Sequence, residues 1–142
     1  MNNVAGILSK KNLTVCSAEP QTPVIDALKL MAEKNIGSLL ILEDGEYRGI
    51  MTERDYSRKV ILKGKTSSET KVGEIMCTDL PMLKPSDSID HCMSLMSEKH
   101  IRYMPVFDNE KLVGIISMSD VVGAIISQQK ETINQLQEYI HS

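Results

Sequence analysis

The stretch "GIMTERDYSRKV" (Gly49 to Val60) changes character halfway along. Gly49-Ile50-Met51 reads as the end of a buried strand. Thr52 then stands where a helix cap is wanted, with Glu53, Arg54 and Asp55 in the first turn. A second stretch, "GIISMSDVV" (Gly114 to Val122), has the same Gly-Ile start, a hydroxyl residue at the same step (Ser117) and an aspartate three further on (Asp120). A hydroxyl, a cation and a carboxylate at one strand-to-helix corner, with the hydroxyl and the carboxylate met again at a second, set the question for the whole chain.

Working outward from the two corners, one ungapped offset of 65 residues (Asp55 to Asp120) superposes most of the sequence on itself. Pro20 falls on Pro85, Leu30-Met31 on Leu95-Met96, Glu33-Lys34 on Glu98-Lys99 and Ile36 on Ile101. Conservative matches such as Val24 with Ile89 and Ile41 with Val106 fill in the rest. Two copies are too few for a solenoid. The expected arrangement is a pair of units packed about a pseudo-twofold axis.

Each copy reads as strand, helix, strand, strand, helix. In the first, a short strand around Leu13 to Cys16 precedes a helix capped by Thr22, with Pro23 at its first position and Val24, Leu28 and Met31 as its apolar stripe. "SLLIL" is a buried strand, "EDGE" (Glu43 to Glu46) a hairpin turn and "YRGIM" the returning strand. The second copy repeats this as Met82-Leu83, Ser88 to Lys99, "MPVF", "DNEK", "LVGII" and a final helix. "VGEIM" (Val72 to Met76) reads as a short helical turn, with "VAGIL" (Val4 to Leu8) its counterpart. The expected organisation is a first repeat over residues 4–63, a polar linker over 64–71, a second repeat over 72–126 and a helical extension over 127–142.

The duplicated β-α-β-β-α unit, closed in each copy by Gly-Ile-x-(Ser/Thr)-x-x-Asp, resembles a tandem pair of CBS (cystathionine β-synthase) domains, a Bateman module. "TERDYSRKV", "IRYMPV" and "LVGIISMSDVV" are most similar to the small stand-alone CBS-pair proteins. The resemblance implies an α/β (α+β) fold and clefts between the copies, lined in part by "VAGIL" and "VGEIM". It also implies an adenosine-containing ligand there: AMP, ADP or ATP, with NAD or S-adenosylmethionine as further candidates.

The residues suit such a ligand. A ribose presents two neighbouring hydroxyls, and an ionised carboxylate, Asp55 or Asp120, can accept a charge-assisted hydrogen bond from each. Thr52 or Ser117 can donate to a ribose or phosphate oxygen. Arg54 offsets the repulsion between carboxylate and phosphate, Arg58 lies one turn further on, and Arg102 supplies a cation from the second copy. The base would rest against Gly37-Ser38 in one site and Tyr103-Met104-Pro105 in the other. The same Thr/Ser-x-x-Asp spacing also suits a simple capping box. The expected function is therefore a non-catalytic adenine-nucleotide sensor that requires no cofactor. The alternatives are a structural or partner-binding module with vestigial clefts and, more remotely, an enzyme acting on the nucleotide.

Composition narrows the setting. The 142 residues are enough for a real core, and a net charge of −3 with mixed signs gives no global field for nucleic acid or membrane. No apolar run nears the ~20 residues of a bilayer span, and "MNNVAGILSKK" lacks the pattern of a secretory signal. Cys16, Cys77 and Cys92 have no CxxC spacing and suit free thiols in a reducing cytoplasm. His91, His100 and His141 show no metal-ligand spacing, and "KGKTS" lacks the first glycine of a Walker loop, Lys59 standing in its place.

Beyond Asp120, the residues Val122, Ile126, Gln129, Ile133, Leu136 and Ile140 alternate in spacings of four and three, a heptad seam interrupted by one glutamine. A helix from Ser117 to His141 would run on the order of 35 Å, longer than one unit needs. The seam points to a homodimer, with a further downstream protein partner left unidentified.

Overall fold

The structure, a computed structural model, describes residues 2–11 and 16–141. In chain order the elements are α1 (Val4–Lys10), β1 (Ser17–Ala18), α2 (Val24–Lys34), β2 (Ser38–Glu43), β3 (Glu46–Thr52), α3 (Glu53–Tyr56), a π-helical turn (Ser57–Ile61), α4 (Val72–Ile75), α5 (Ile89–Lys99), β4 (Tyr103–Asp108), β5 (Lys111–Ser117) and α6 (Met118–His141). They form two compact units. One is contiguous, Thr14–Leu80; the other joins Met1–Leu13 to Pro81–Ser142. The units do not follow the sequence repeats: α1, read as the opening of the first copy, packs with the second.

In the contiguous unit the sheet order is β1-β2-β3, with β1 parallel to β2 and β2 antiparallel to β3. The expected strand at Leu13 to Cys16 lies largely outside the described residues, and the strand that is described begins just after it. The hairpin turns through Asp44 (φ 53°) and Gly45 (φ 80°). Two consecutive left-handed residues match the twist of the flanking strands. Helix α2 buries Val24, Ala27 and Met31 on the sheet, at helical spacing. It starts one residue later than expected, because Thr22 accepts a bond from the Glu19 N–H instead of capping. The first two N–H groups of α2 go to the Thr70 and Ser67 carbonyls, at 2.8 and 2.9 Å. The polar linker thus satisfies donors for which a cap side chain was expected. The core here holds Leu39, Ile41, Met51, Val60, Val72 and Ile75.

The discontinuous unit repeats the plan with one omission. Antiparallel β4 and β5 carry a bulge at Val106/Phe107, as β2 and β3 do at Ile41/Leu42. Met82-Leu83 forms no strand. Leu83 makes a single parallel bridge to Val106, its N–H going to the Pro105 carbonyl and its carbonyl accepting from Phe107 N–H. Helix α5 is capped by Ser88, which accepts from His91 N–H, and buries Ile89, Cys92 and Met96. Val4 and Ile7 of α1 complete this core, with Met104, Val106, Ile116 and Val121. The helix α1 is held by bonds from Val4 N–H to the Asp87 carbonyl and from Ala5 N–H to the Pro85 carbonyl, both 2.9 Å.

Helix α6 runs 24 residues from Met118, one residue after the expected start. Its first turns pack Val121, Ala124 and Ile125 on the core, but every residue from Ile126 to His141 is exposed. Among the described residues no helix is long and apolar enough to cross a membrane.

Candidate functional site

The strand-to-helix corners gather most of the residues singled out by sequence. In the contiguous unit Ser38 pairs with Thr52 across the β2-β3 ladder, and the Gly37 carbonyl accepts from the Glu53 N–H at 3.3 Å. Gly37, Ser38, Thr52, Arg54 and Asp55 therefore meet at one place. The other unit builds the same corner: Tyr103 pairs with Ser117, and the Arg102 carbonyl accepts from Met118 N–H at 2.8 Å. Arg54 and Arg102 are exposed; Tyr103 is half-buried. Met104 and Pro105 are buried, and Met104 belongs to the core, so this strand turns backbone rather than those side chains outward.

Both aspartates close capping boxes, because each helix start has orphan N–H groups for which a carboxylate and a hydroxyl together provide acceptors. Asp55 Oδ2 accepts from Thr52 N–H at 2.9 Å and from Thr52 Oγ1 at 3.0 Å, while Asp55 N–H donates to Thr52 Oγ1 at 3.1 Å. Asp120 Oδ2 accepts from Ser117 N–H at 2.8 Å, and Asp120 N–H donates to Ser117 Oγ at 3.1 Å. Asp55 is buried, at 9% exposure, a position an ionised group holds only when paired.

A lysine sits on each carboxylate. Lys59 Nζ lies 3.0 Å from Asp55 Oδ1 and donates to the Ile75 carbonyl at 2.9 Å. Lys11 Nζ lies 2.7 Å from Asp120 Oδ2 and donates to the Ile115 carbonyl at 2.8 Å. Arg58, the expected second cation, is exposed on the π-helical turn, and its neighbour Lys59 reaches back one turn in its stead. The four-residue spacing from Asp55 to Lys59 is a sequence signal that identifies the pair. No local signal links Lys11 to Asp120.

Pockets of ligand size adjoin the corners. One of about 340 Å³ is lined by Lys11, Asp120, Gly6, Ser119 and Gly123, among others. Another of about 570 Å³ includes Gly37, Glu53, Tyr56 and Ser57. Among the described residues no three His, Cys, Asp or Glu side chains are grouped to hold a metal ion. Cys16, Cys77 and Cys92 are free thiols. Burial, chiefly, and the nearby Asp87 charge push the Cys92 thiol up to about 11. Burial likewise raises Cys77, whose Sγ donates to Asp79 Oδ1.

Comparison with known proteins is consistent across sequence and structure. The CBS-domain family model matches twice, over residues 4–61 and 72–127. A solved protein with CBS domains from Burkholderia ambifaria MC40-6 superposes with a TM-score of 0.86 at 45% identity, covering 89% of this chain and 96% of that one. The CBS domain-containing protein CBSX3, mitochondrial, of Arabidopsis thaliana is 38% identical over an alignment of 122 residues that covers 82% of this chain and 59% of that protein's length. The CBS domain pair of protein MJ0100, solved in complex with 5'-methylthioadenosine and S-adenosyl-L-methionine, superposes with a TM-score of 0.77 at 26% identity, covering 90% of this chain and 98% of that one. With its two matched repeats and its doubled corner, the chain belongs to the CBS-domain family as a tandem CBS pair.

Proposed function

We propose that this CBS pair is a non-catalytic regulatory module that binds an adenosine-containing ligand at its Asp55 and Asp120 corners. The observation that carries the reading is the recurrence, in both units, of one arrangement: a helix-start carboxylate with its hydroxyl, a lysine on the carboxylate, and the backbone of a neighbouring strand alongside. A ribose hydroxyl donates to Oδ1 of Asp120, since the cap and Lys11 both lie on Oδ2, or takes the place of Lys59 at Oδ1 of Asp55, and the phosphate recruits the lysine and the exposed arginine, Arg54 or Arg102. The solved MJ0100 pair with two adenosine compounds supports the ligand class. AMP, ADP and ATP come first, with NAD and S-adenosylmethionine behind them. The module acts as a homodimer in the cytoplasm with its thiols reduced, and a downstream protein reads its bound state.

Calorimetry with AMP, ADP and ATP tests this. Saturable heat is expected, and at 100 times the dissociation constant a ligand should stabilise the fold by about 2.7 kcal/mol. No heat at millimolar concentration would sink the adenylate reading. Binding by an Asp55→Ala, Asp120→Ala double variant equal to wild type would reduce the aspartates to caps.

A second reading has its own observation. Both carboxylates already hold a cap and a lysine, so each corner is internally satisfied. A structural or partner-binding module with vestigial clefts would look the same, and it predicts no adenosine ligand at all.

A further inference from the structure

The second half of α6 buries none of its seam on the described residues of its own chain. Sixteen consecutive residues, Ile126 to His141, are exposed on every face. An isolated helix of that length is marginal in water. Yet one face is apolar: Val122, Ile126, Ile133, Leu136 and Ile140 are 41 to 74% exposed. With Gln129 they fall into heptad register, isoleucine at all three a positions (126, 133, 140) and valine, glutamine and leucine at the d positions (122, 129, 136). Isoleucine at a with leucine at d favours two parallel strands.

We infer that α6 pairs with α6 of a second copy as a parallel, in-register coiled coil. It deepens only the homodimer part of the proposed function and is independent of the ligand. Orientation follows from what faces what. In parallel register Gln129 meets the Gln129 of the second copy, and each amide can donate to and accept from the other. Lys130, at the flanking e position, then lies beside Ile125 of the second copy, where its methylene stem packs and its charge reaches water. The antiparallel alternative that keeps all six seam layers sets Gln129 against Ile133, burying an amide without a partner. It also sets Lys130 against the other Lys130, a like-charge pair. Glu131 and Glu138 are at outer f positions and oppose neither arrangement. One polar layer fixes the register.

Light scattering of the full chain tests the pairing, and Ile133→Lys breaks it. Position 133 is exposed within the chain, so the variant should keep its monomer fold, losing at most the helical circular dichroism of the exposed end of α6, while dimerising at least ~100-fold more weakly. A dimer of undiminished strength in Ile133→Lys would overturn the coiled coil and leave the homodimer standing on other surfaces. A wild-type monomer at micromolar concentration would overturn both. Orientation is read by crosslinking under a mild oxidant, with wild type as the control for the native thiols. Gln129→Cys should give a covalent dimer and Lys130→Cys should not; the reverse pattern would overturn the parallel register.

Discussion

The two corners share a carboxylate, a cap and a lysine, but they acquire the lysine differently. At Asp55 it comes from the same helix one turn on, Lys59, so forming the helix forms the pair. At Asp120 it comes from Lys11, 109 residues away in sequence, at the end of α1. The first corner is a local device; the second is complete only when the N-terminal helix is seated. The pairing of Asp120 is therefore coupled to α1, and that of Asp55 is not. The same contrast holds behind the corners. The strand glycine before each one, Gly49 or Gly114, is packed against something different: backbone in the first unit, a leucine side chain of α1 in the second.

That last difference gives the largest expected effect. A Cβ at Gly49 would lie 2.6 Å from the Cys77 carbonyl oxygen, within the Ile50–Cys77 bridge, which cannot retreat without losing its two bonds. At Gly114 it would lie 2.8 Å from Leu8 Cδ2, the end of a side chain that can turn. Gly49→Ala should cost about 3 kcal/mol and Gly114→Ala about 1 kcal/mol, measured by urea denaturation. Equal costs would mean that α1 is as rigid a wall as the 76–77 backbone.

Next come the aspartates. Asp55→Ala removes a buried carboxylate that holds an N–H, a hydroxyl and an ammonium, and should cost about 2 kcal/mol. Asp120, more exposed, should cost about 1 kcal/mol in the same substitution. A larger loss at Asp120 would reverse the ranking and make the α1 tie the stronger one.

The lysines sharpen the point with a smaller effect. Lys11→Met should cost no more than about 1 kcal/mol, because the pair is partly solvated. It should nevertheless raise amide exchange at Val4 and Ala5. Lys59→Met should leave those amides unchanged. If α1 exchange is insensitive to Lys11, the second corner is as self-contained as the first.

These contrasts also mark what was legible in sequence. The fold and the grouping of Gly37, Ser38, Thr52 and Asp55, or of Arg102, Tyr103, Ser117 and Asp120, follow from one repeated motif read at strand and helix periods. What escaped depends on long-range contacts. Thr22 does not cap α2 because carbonyls of residues 67 and 70 reach its N–H groups first. Met82-Leu83 has strand character, but only Leu83 finds a ladder partner. Lys11 lies beyond any spacing rule, since nothing local distinguishes it from Lys10, which is exposed and makes no described ion pair.

A further effect is confined to alkaline pH. Folding holds the Cys92 thiol up at about 11, against 9.0 for an ordinary cysteine. The folded state thus favours the neutral thiol. Its contribution to stability is complete below pH 9 and is lost as pH rises from 9 to 11. Cys92→Ala should flatten that part of the alkaline stability profile. Cys77, half-buried, should be alkylated in the folded protein well before Cys92, which is fully buried. Simultaneous labelling would indicate that the discontinuous unit opens as readily as the contiguous one.

The seating of α1 has a consequence for the order in which the protein is made. Residues up to Leu80 contain everything the contiguous unit needs, so it can close while the rest of the chain is still being synthesised. Helix α1 is made before that unit but is among the last to find its place, since its partners are Pro85, Asp87 and the strand holding Gly114. At ~5–20 residues per second that wait is on the order of seconds. Throughout it, Val4 and Ile7, buried in the finished protein, are without their core. A nascent chain whose residues up to Leu80 have just cleared the ribosome would therefore present a folded unit trailing an apolar N-terminal segment, the form on which a chaperone would act.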